Sequence, residues 1–270
     1  MDNSGTLDDT AHRFTRKGQT LIVRVMEVAG GGDNGHVLVY GEVTDGCLVR
    51  IHSRCLYGDA LGSQNCDCGP ELDKALDLIW ADGGGVLIYL EQEGRGSGLI
   101  AKALGHRESE VCKIDTFASY ERLGFPADSR TYLHAAKSLQ DLGLTKVRLL
   151  TNNPAKVDEL RSTGVTVDRV PLHTKPLSRE AALYLDAKRR RRGHLLPSWD
   201  VLSGPCVEPI PERHDRFLRA WSRLGPALRR RHTVRRVRVK VRPSTLRRIW
   251  LPGANLPWGR DKGSDLPASK

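Results

Sequence analysis

From Thr20 to Val170, short β-branched runs alternate with helical spacings of apolar residues, which restricts the chain to layered folds of strands and helices. The runs "TLIVRVMEV", "HVLVYGEV" and "CLVRIHS" are separated by "AGGGDNG" and "TDG", turn chemistry that suits antiparallel strands, so the front third reads as a meander. In "ELDKALDLIWADGGG", Leu72, Ala75, Leu76 and Ile79 take helical spacing and the glycines supply a C-cap. "VLIYL" then reads as a short buried strand. A helix is expected from about Leu99 and another from Arg130 to Leu142, closed by Gly143. The strand "KVRLLT", a helix from Pro154, the strand "VTVDRV" and a last amphipathic helix N-capped by Ser178 complete the alternation. The expected class is α+β, an α/β-like mixed sheet with flanking helices, its antiparallel meander preceding the alternating strands and helices. No internal repeat is visible.

Charge divides the chain more clearly than hydrophobicity does. The formal net charge is +11, and residues 198–270 hold 17 Lys and Arg against 6 Asp and Glu, so the body is neutral and the tail carries the excess. Three segments are expected: a flexible leader over 1–18, a catalytic domain over 19–197, and a partly disordered basic extension over 198–270. In that extension Phe217, Leu218, Trp221 and Leu224 have helical spacing, and "VRRVRVKVR" alternates like a strand with one wet face. Its arginines could bind nucleic acid or an acidic partner. Trp221 and Trp250 flank the Arg run instead of interrupting it, however, and a solvated extension is the plainer reading. The first residues hold no apolar segment of the secretory kind, and no apolar run approaches the roughly 18 residues that span a membrane. A cytoplasmic, reducing location is therefore expected, where clustered thiols bind metal or do chemistry.

Of six cysteines, Cys55, Cys66 and Cys68 cluster as C-x10-C-x-C. Three thiolates leave one place of a tetrahedral Zn²⁺ free, either for water in a catalytic site or for a further ligand such as His52 or Asp67 in a structural one. The same spacing also allows three thiols that never meet. "EQEGRGSG" follows a strand and precedes a helix, where backbone N–H groups and Arg95 could meet an anion, although glycines equally make a tight turn. "LLTNNPAK" places Thr151 at a strand end, Pro154 at a first helical position and Lys156 near a helix N-terminus. In "GFPADSR", Asp128 and Arg130 stand two residues apart, the spacing of an ordinary N-cap acid beside an exposed Arg.

Taken together and in this order, the Cys-rich loop, "EQEGRGSG", "LGFPADSR" and "LLTNNPAK" resemble GTP cyclohydrolase II, from about Val37 to "YLDAKRRRRGHLL" at Leu196. The resemblance implies a homodimeric hydrolase that converts GTP to formate, pyrophosphate and a diaminopyrimidinone ribosyl phosphate. Cys55, Cys66 and Cys68 would hold Zn²⁺, and Mg²⁺ would accompany the triphosphate. It further implies that Arg50, His52, Ser53, Glu71, Glu93, Gly94, Arg95, Thr116, Thr151 and Lys156 bind GTP. Asp128 would accept a proton and Arg130 would meet the α-phosphate, either as a contact or as a nucleophile. Three positions depart from the family pattern. Arg54 replaces an acid beside a zinc ligand, Glu71 replaces a Gln, and His106 stands where a catalytic Tyr is expected. These departures allow an alternative product, the formylated pyrimidine, or another purine as substrate.

Overall fold

The computed structural model describes residues 7–29 and 35–198. Seven strands form one mixed sheet in the order β1-β2-β3-β5-β4-β6-β7. β1 (His12–Arg16), β2 (Gln19–Glu27) and β3 (Gly35–Tyr40) are successive antiparallel neighbours, and β3 pairs antiparallel with β5 (Gly85–Leu90). β4 (Leu48–Ser53) runs parallel to β5 on one side and to β6 (Lys146–Leu150) on the other, and β7 (Thr166–Val170) is parallel to β6. From β4 the chain first fills one side of the strand and then crosses to the other. This makes β4 a topological switch point, whose C-terminal end is where open α/β sheets hold ligands.

The strand period of two sends alternate side chains to opposite faces. Val49 and Ile51 of β4, with Val86 and Ile88 of β5, join a core under α4 (Leu133–Asp141) and α5 (Pro154–Ser162). Leu48 and Leu87 join a second core under α1 (Cys68–Ala81), built on Ala75, Ile79 and Trp80. The β4 residues Arg50 and His52 share the face of Leu48, so the alternation that builds the cores also aims two polar side chains beneath α1. α2 (Gly98–Cys112), α3 (Thr116–Arg122) and α6 (Arg179–Arg192) complete the α-helices among the described residues. Ser178 caps α6 as its sequence suggests, its Oγ accepting from the Ala181 N–H at 3.0 Å.

Three expectations need correction, and one helix was not expected. Residues 12–16, read as leader, form β1, because Phe14 and its neighbours find a full antiparallel partner in β2. "CLVRIHS" does not continue the meander: β5 inserts between β3 and β4, since the α1 crossover returns the chain parallel to β4. The helix placed at Arg130 begins at Leu133, because Asp128 ties the Arg130 backbone N–H and side chain into a turn. α3 was not foreseen, its seven residues being too few to show a period, although Asp115 caps it through the Phe117 and Ala118 N–H groups. The helix and strand read in the basic extension lie outside the described residues.

Candidate active site

The chain leaves β4 at Ser53 and turns at once into a single π-type turn, Leu56–Ala60, capped by Cys55. The Gly58 N–H donates to Cys55 Sγ at 3.3 Å. A Cβ on Gly58 would lie 2.9 Å from Cys66 Sγ, so this turn closes on the second cysteine only with glycine. Cys68 opens α1. The three sulfurs lie within 4.8 Å of one another, and Cys55 Sγ to Cys66 Sγ is 3.8 Å. That separation matches the edge, about 3.8 Å, of a tetrahedron with metal–sulfur bonds of about 2.3 Å.

Both residues that could have closed the tetrahedron are otherwise engaged. His52 Nε2 bonds Asp59 at 3.0 Å, and the same carboxylate accepts from the Cys55 N–H and the Tyr89 hydroxyl, each at 2.9 Å. Asp67, between two of the cysteines, accepts from Lys188 Nζ at 2.6 and 2.9 Å. Among the described residues, the group of His, Cys, Asp and Glu placed to hold a metal is the three cysteines alone, so the donor set fits an open catalytic centre. The three sulfurs share charge unequally. Thiol hydrogen bonds from Cys66 and Cys68, with the Lys102 ammonium, hold Cys55 far below the ordinary thiol range. The thiolate at Cys55 in turn pushes Cys66 up to about 11.

Lys102, on the first turns of α2, donates to Cys55 Sγ at 3.0 Å and to Glu93 Oε1 at 2.8 Å. Glu93 Oε2 accepts from the Leu56 N–H at 2.7 Å, so this acid binds the thiol turn to the Gly-rich loop. Two residues later Arg95 adopts φ 56°, a left-handed conformation that costs a non-glycine residue about 1–3 kcal/mol. Its contacts offset that cost. The guanidinium lies 3.5 Å from the Phe117 ring centroid and donates to Thr116 Oγ1 at 2.8 Å.

Asp128 and Arg130 form a two-point ion pair, Nε to Oδ1 at 2.9 Å and Nη2 to Oδ2 at 2.7 Å, with Arg192 at 3.4 Å from the same carboxylate. Burial works against the Asp128 charge, yet Arg130 outweighs it and keeps the group an ionised carboxylate. Burial likewise opposes the Arg130 charge, but Tyr132 and Asp128 raise its pKa, so the guanidinium stays protonated.

Beneath this level lies a buried floor of charge. β4 and β6 pair only at Leu48 with Arg148 and Val49 with Leu149, and then part. The backbone carbonyls there still need donors. Arg50 Nη1 reaches Leu150 O at 3.1 Å, and Lys156 Nζ reaches Ile51 O at 2.8 Å. Glu71 on α1 accepts from Arg50 Nη2 at 2.7 Å. Burial would raise the Glu71 pKa, but the Arg50 charge holds it down at about 2. The Lys156 ammonium is pushed well below its ordinary range, by burial first and then by Arg50 and Arg130.

One pocket brings together Ser53, the three cysteines, Glu93, Gly94, Arg95, His106, Thr116 and Arg130 from the residues read in the sequence. Arg54 also lines it, and pairs with Glu91 at 2.5 Å. Arg50, His52, Glu71, Thr151, Lys156 and Asp128 are not in its lining: they brace it from below or behind. His52 is 2 % exposed, and the Thr151 hydroxyl is taken by the Asn153 N–H at 3.1 Å. The lining also includes Gln92, Lys102, Tyr120 and Tyr184, which the sequence reading missed. Gln92 stands inside "EQEGRGSG" and was within reach of motif reading, whereas Tyr120 sits on the short helix that carried no period.

The family model described as GTP cyclohydrolase II matches residues 11–171. Among curated proteins, the riboflavin biosynthesis protein RibBA of Bacillus mycoides (strain KBAB4) is 43% identical over 202 residues, covering 68% of this chain and 50% of that protein. The protein of the same name from Bacillus cereus (strain B4264) gives the same identity and coverage. That of Bacillus cytotoxicus is 48% identical over 162 residues, 59% of this chain and 40% of its own length. The chain thus spans about half the length of the curated relatives it matches.

Proposed function

Since the chain belongs to the GTP cyclohydrolase II family and is thereby a hydrolase, we propose that it opens the imidazole ring of GTP at carbon 8 with the help of one zinc ion. The products are formate, pyrophosphate and a diaminopyrimidinone ribosyl phosphate. One observation carries the reading: the three thiols, Arg95 and Arg130 open onto a single pocket at the C-terminal edge of parallel strands. Cys55, Cys66 and Cys68 hold the metal, which when bound supplies the Lewis acidity that makes water nucleophilic near neutral pH.

The chain's own groups do the rest. Arg130 and Arg95 contact the polyphosphate, the planar guanidinium being suited to two-point binding of phosphate oxygens. A phosphate that reaches Arg130 competes with Asp128 for it. Released from that pair, the Asp128 carboxylate becomes a better proton acceptor, so substrate binding and base strength are linked through one guanidinium. Because Arg130 stays protonated, its role is contact and charge neutralisation, not covalent attack. Arg50 and Lys156 brace the pocket from beneath through the Leu150 and Ile51 carbonyls, and Mg²⁺ when bound would share the triphosphate charge. His106 lies in the pocket with its pKa lowered by burial and by Lys102, and so faces substrate as a neutral imidazole.

His106 also favours a second outcome of the same chemistry, arrest at the formylated pyrimidine. The catalytic unit is taken to run from β1 to residue 197, with 198–270 as a basic extension. A homodimer and a cytoplasmic location belong to the same proposal. Among the described residues no helix is long and apolar enough to cross a membrane. Incubating the zinc-loaded protein with GTP and Mg²⁺, with mass analysis of the products, tests the reading. The expected result is formate and pyrophosphate in equal amounts. A pyrimidine that keeps its formyl carbon selects the second outcome, and intact GTP removes both.

A further inference from the structure

Tyr120 is 4 % exposed and lines the same pocket as the three cysteines, yet its hydroxyl makes no hydrogen bond to a described residue. The hydroxyl is not one of the fully buried polar atoms left without a partner, so on a residue that lines this pocket it is open to a group that enters there. Its place is closely determined. The ring packs across α2 at Gly105, where a Cβ would meet Tyr120 Cε2 at 2.5 Å, and the next residue along the helix is His106. On the other side the hydroxyl oxygen stands 3.3 Å from where a Cβ on Gly94 would lie. Phe125 meets the ring edge-on at 6.2 Å, and the Arg95 guanidinium lies 5.4 Å from its centroid. Two glycines on two different elements thus leave the room that the phenol occupies.

We propose that Tyr120 is a catalytic residue whose phenol hydrogen-bonds the bound purine and protonates the nitrogen released as the ring opens, an inference that rests on the GTP reading above. The step balances without a further reagent once water has added at carbon 8. The bond from carbon 8 to the ring nitrogen breaks, its electron pair stays on nitrogen, and nitrogen takes the phenol proton. The carbon 8 hydroxyl becomes the formyl carbonyl, and its proton returns to the phenolate. Burial pushes the Tyr120 pKa up to about 12 against the pull of Arg95, so the donor is present in its neutral form at working pH. His106, one residue beyond Gly105, lines the same pocket and supplies a neutral imidazole to pass or receive that proton.

The test compares Tyr120→Phe and Gly105→Ala with the wild-type zinc-loaded protein. Tyr120→Phe deletes one oxygen and keeps the ring against Gly105 and Phe125. Its kcat for GTP should fall by at least about a hundred-fold, while the Kd of a non-hydrolysable GTP analogue changes by less than about ten-fold. Gly105→Ala keeps the phenol but displaces the ring, and should lose kcat similarly with one zinc still bound per chain. A Tyr120→Phe variant with kcat within about three-fold of wild type overturns the proposal. So does one whose kcat/KM loss is matched by lost analogue binding, since the phenol then only binds. If the wild-type protein binds the analogue but leaves GTP intact, the GTP reading fails and takes this step with it.

Discussion

The two halves of the site are built by different means. The thiol half is local: three cysteines within fourteen residues meet because Gly58 lets a single turn close against Cys66. The charged floor is assembled from a distance. Arg50 reaches a carbonyl 100 residues away, Lys156 one 105 residues away, and Lys188 crosses 121 residues to Asp67. The difference shows where one function ends and another begins. Beyond the metal proposed for them, the sulfurs make only local contacts, Cys55 Sγ accepting from the Gly58 N–H and from Lys102, whereas the cations of the floor also satisfy the carbonyls freed where β4 and β6 part. Removing a cysteine should therefore cost chemistry with modest loss of fold, and removing a floor cation should cost both.

The largest effect is expected at the thiol half. Cys66→Ser should reduce bound zinc from one per chain to near none and turnover to background, with the far-UV spectrum retained, by metal analysis and assay. Full metal content in that variant would break the comparison at its root.

Next comes the tie between the halves. Lys188→Met leaves Asp67, 3 % exposed, without its partner, a loss of about 3–5 kcal/mol by denaturant unfolding. The double variant Asp67→Asn with Lys188→Met should recover part of it. If Lys188→Met alone is neutral, the ion pair is not what holds α6 to the thiol loop.

Glu71 gives a pH test of the floor. Its folded pKa of about 2 lies below its ordinary value, so its pairing with Arg50 stabilises the fold above about pH 4.5 and is lost as pH falls through about 2. Wild type should lose about 3 kcal/mol more than Glu71→Gln between pH 5 and pH 2. Parallel acid limbs in the two proteins would mean that Glu71 titrates normally. The smallest effect belongs to Arg54, whose pair with Glu91 is 41% and 35% exposed at the two side chains. Arg54→Ala should change stability by less than about 1 kcal/mol, so a larger change in turnover than in unfolding would assign Arg54 to the ligand.

The same division explains what was legible in the sequence. The C-x10-C-x-C spacing pointed to the tripod because its geometry is set within one loop, and strand periods gave most of the sheet. Strand order was not legible: nothing in "CLVRIHS" says that β5 will enter between it and β3. His52 and Asp67 looked like spare ligands in sequence, and only their long-range partners, Tyr89 through Asp59 and Lys188 directly, show them engaged. Glu93 reads as a nucleotide contact by motif, yet here it joins Lys102 to the Leu56 N–H. Tyr120 lay on a helix too short for a period, and its meaning comes from Gly105 beneath it.

The central claim is that metal at the thiol tripod drives opening of a purine ring. It is tested most directly by stripping the protein with a chelator, restoring zinc in steps from none to one per chain, and following GTP, formate and pyrophosphate. The account predicts that GTP consumption rises in proportion to zinc and breaks at one ion per chain, with pyrophosphate released in step. Consumption indifferent to zinc, or none at full occupancy, would contradict it.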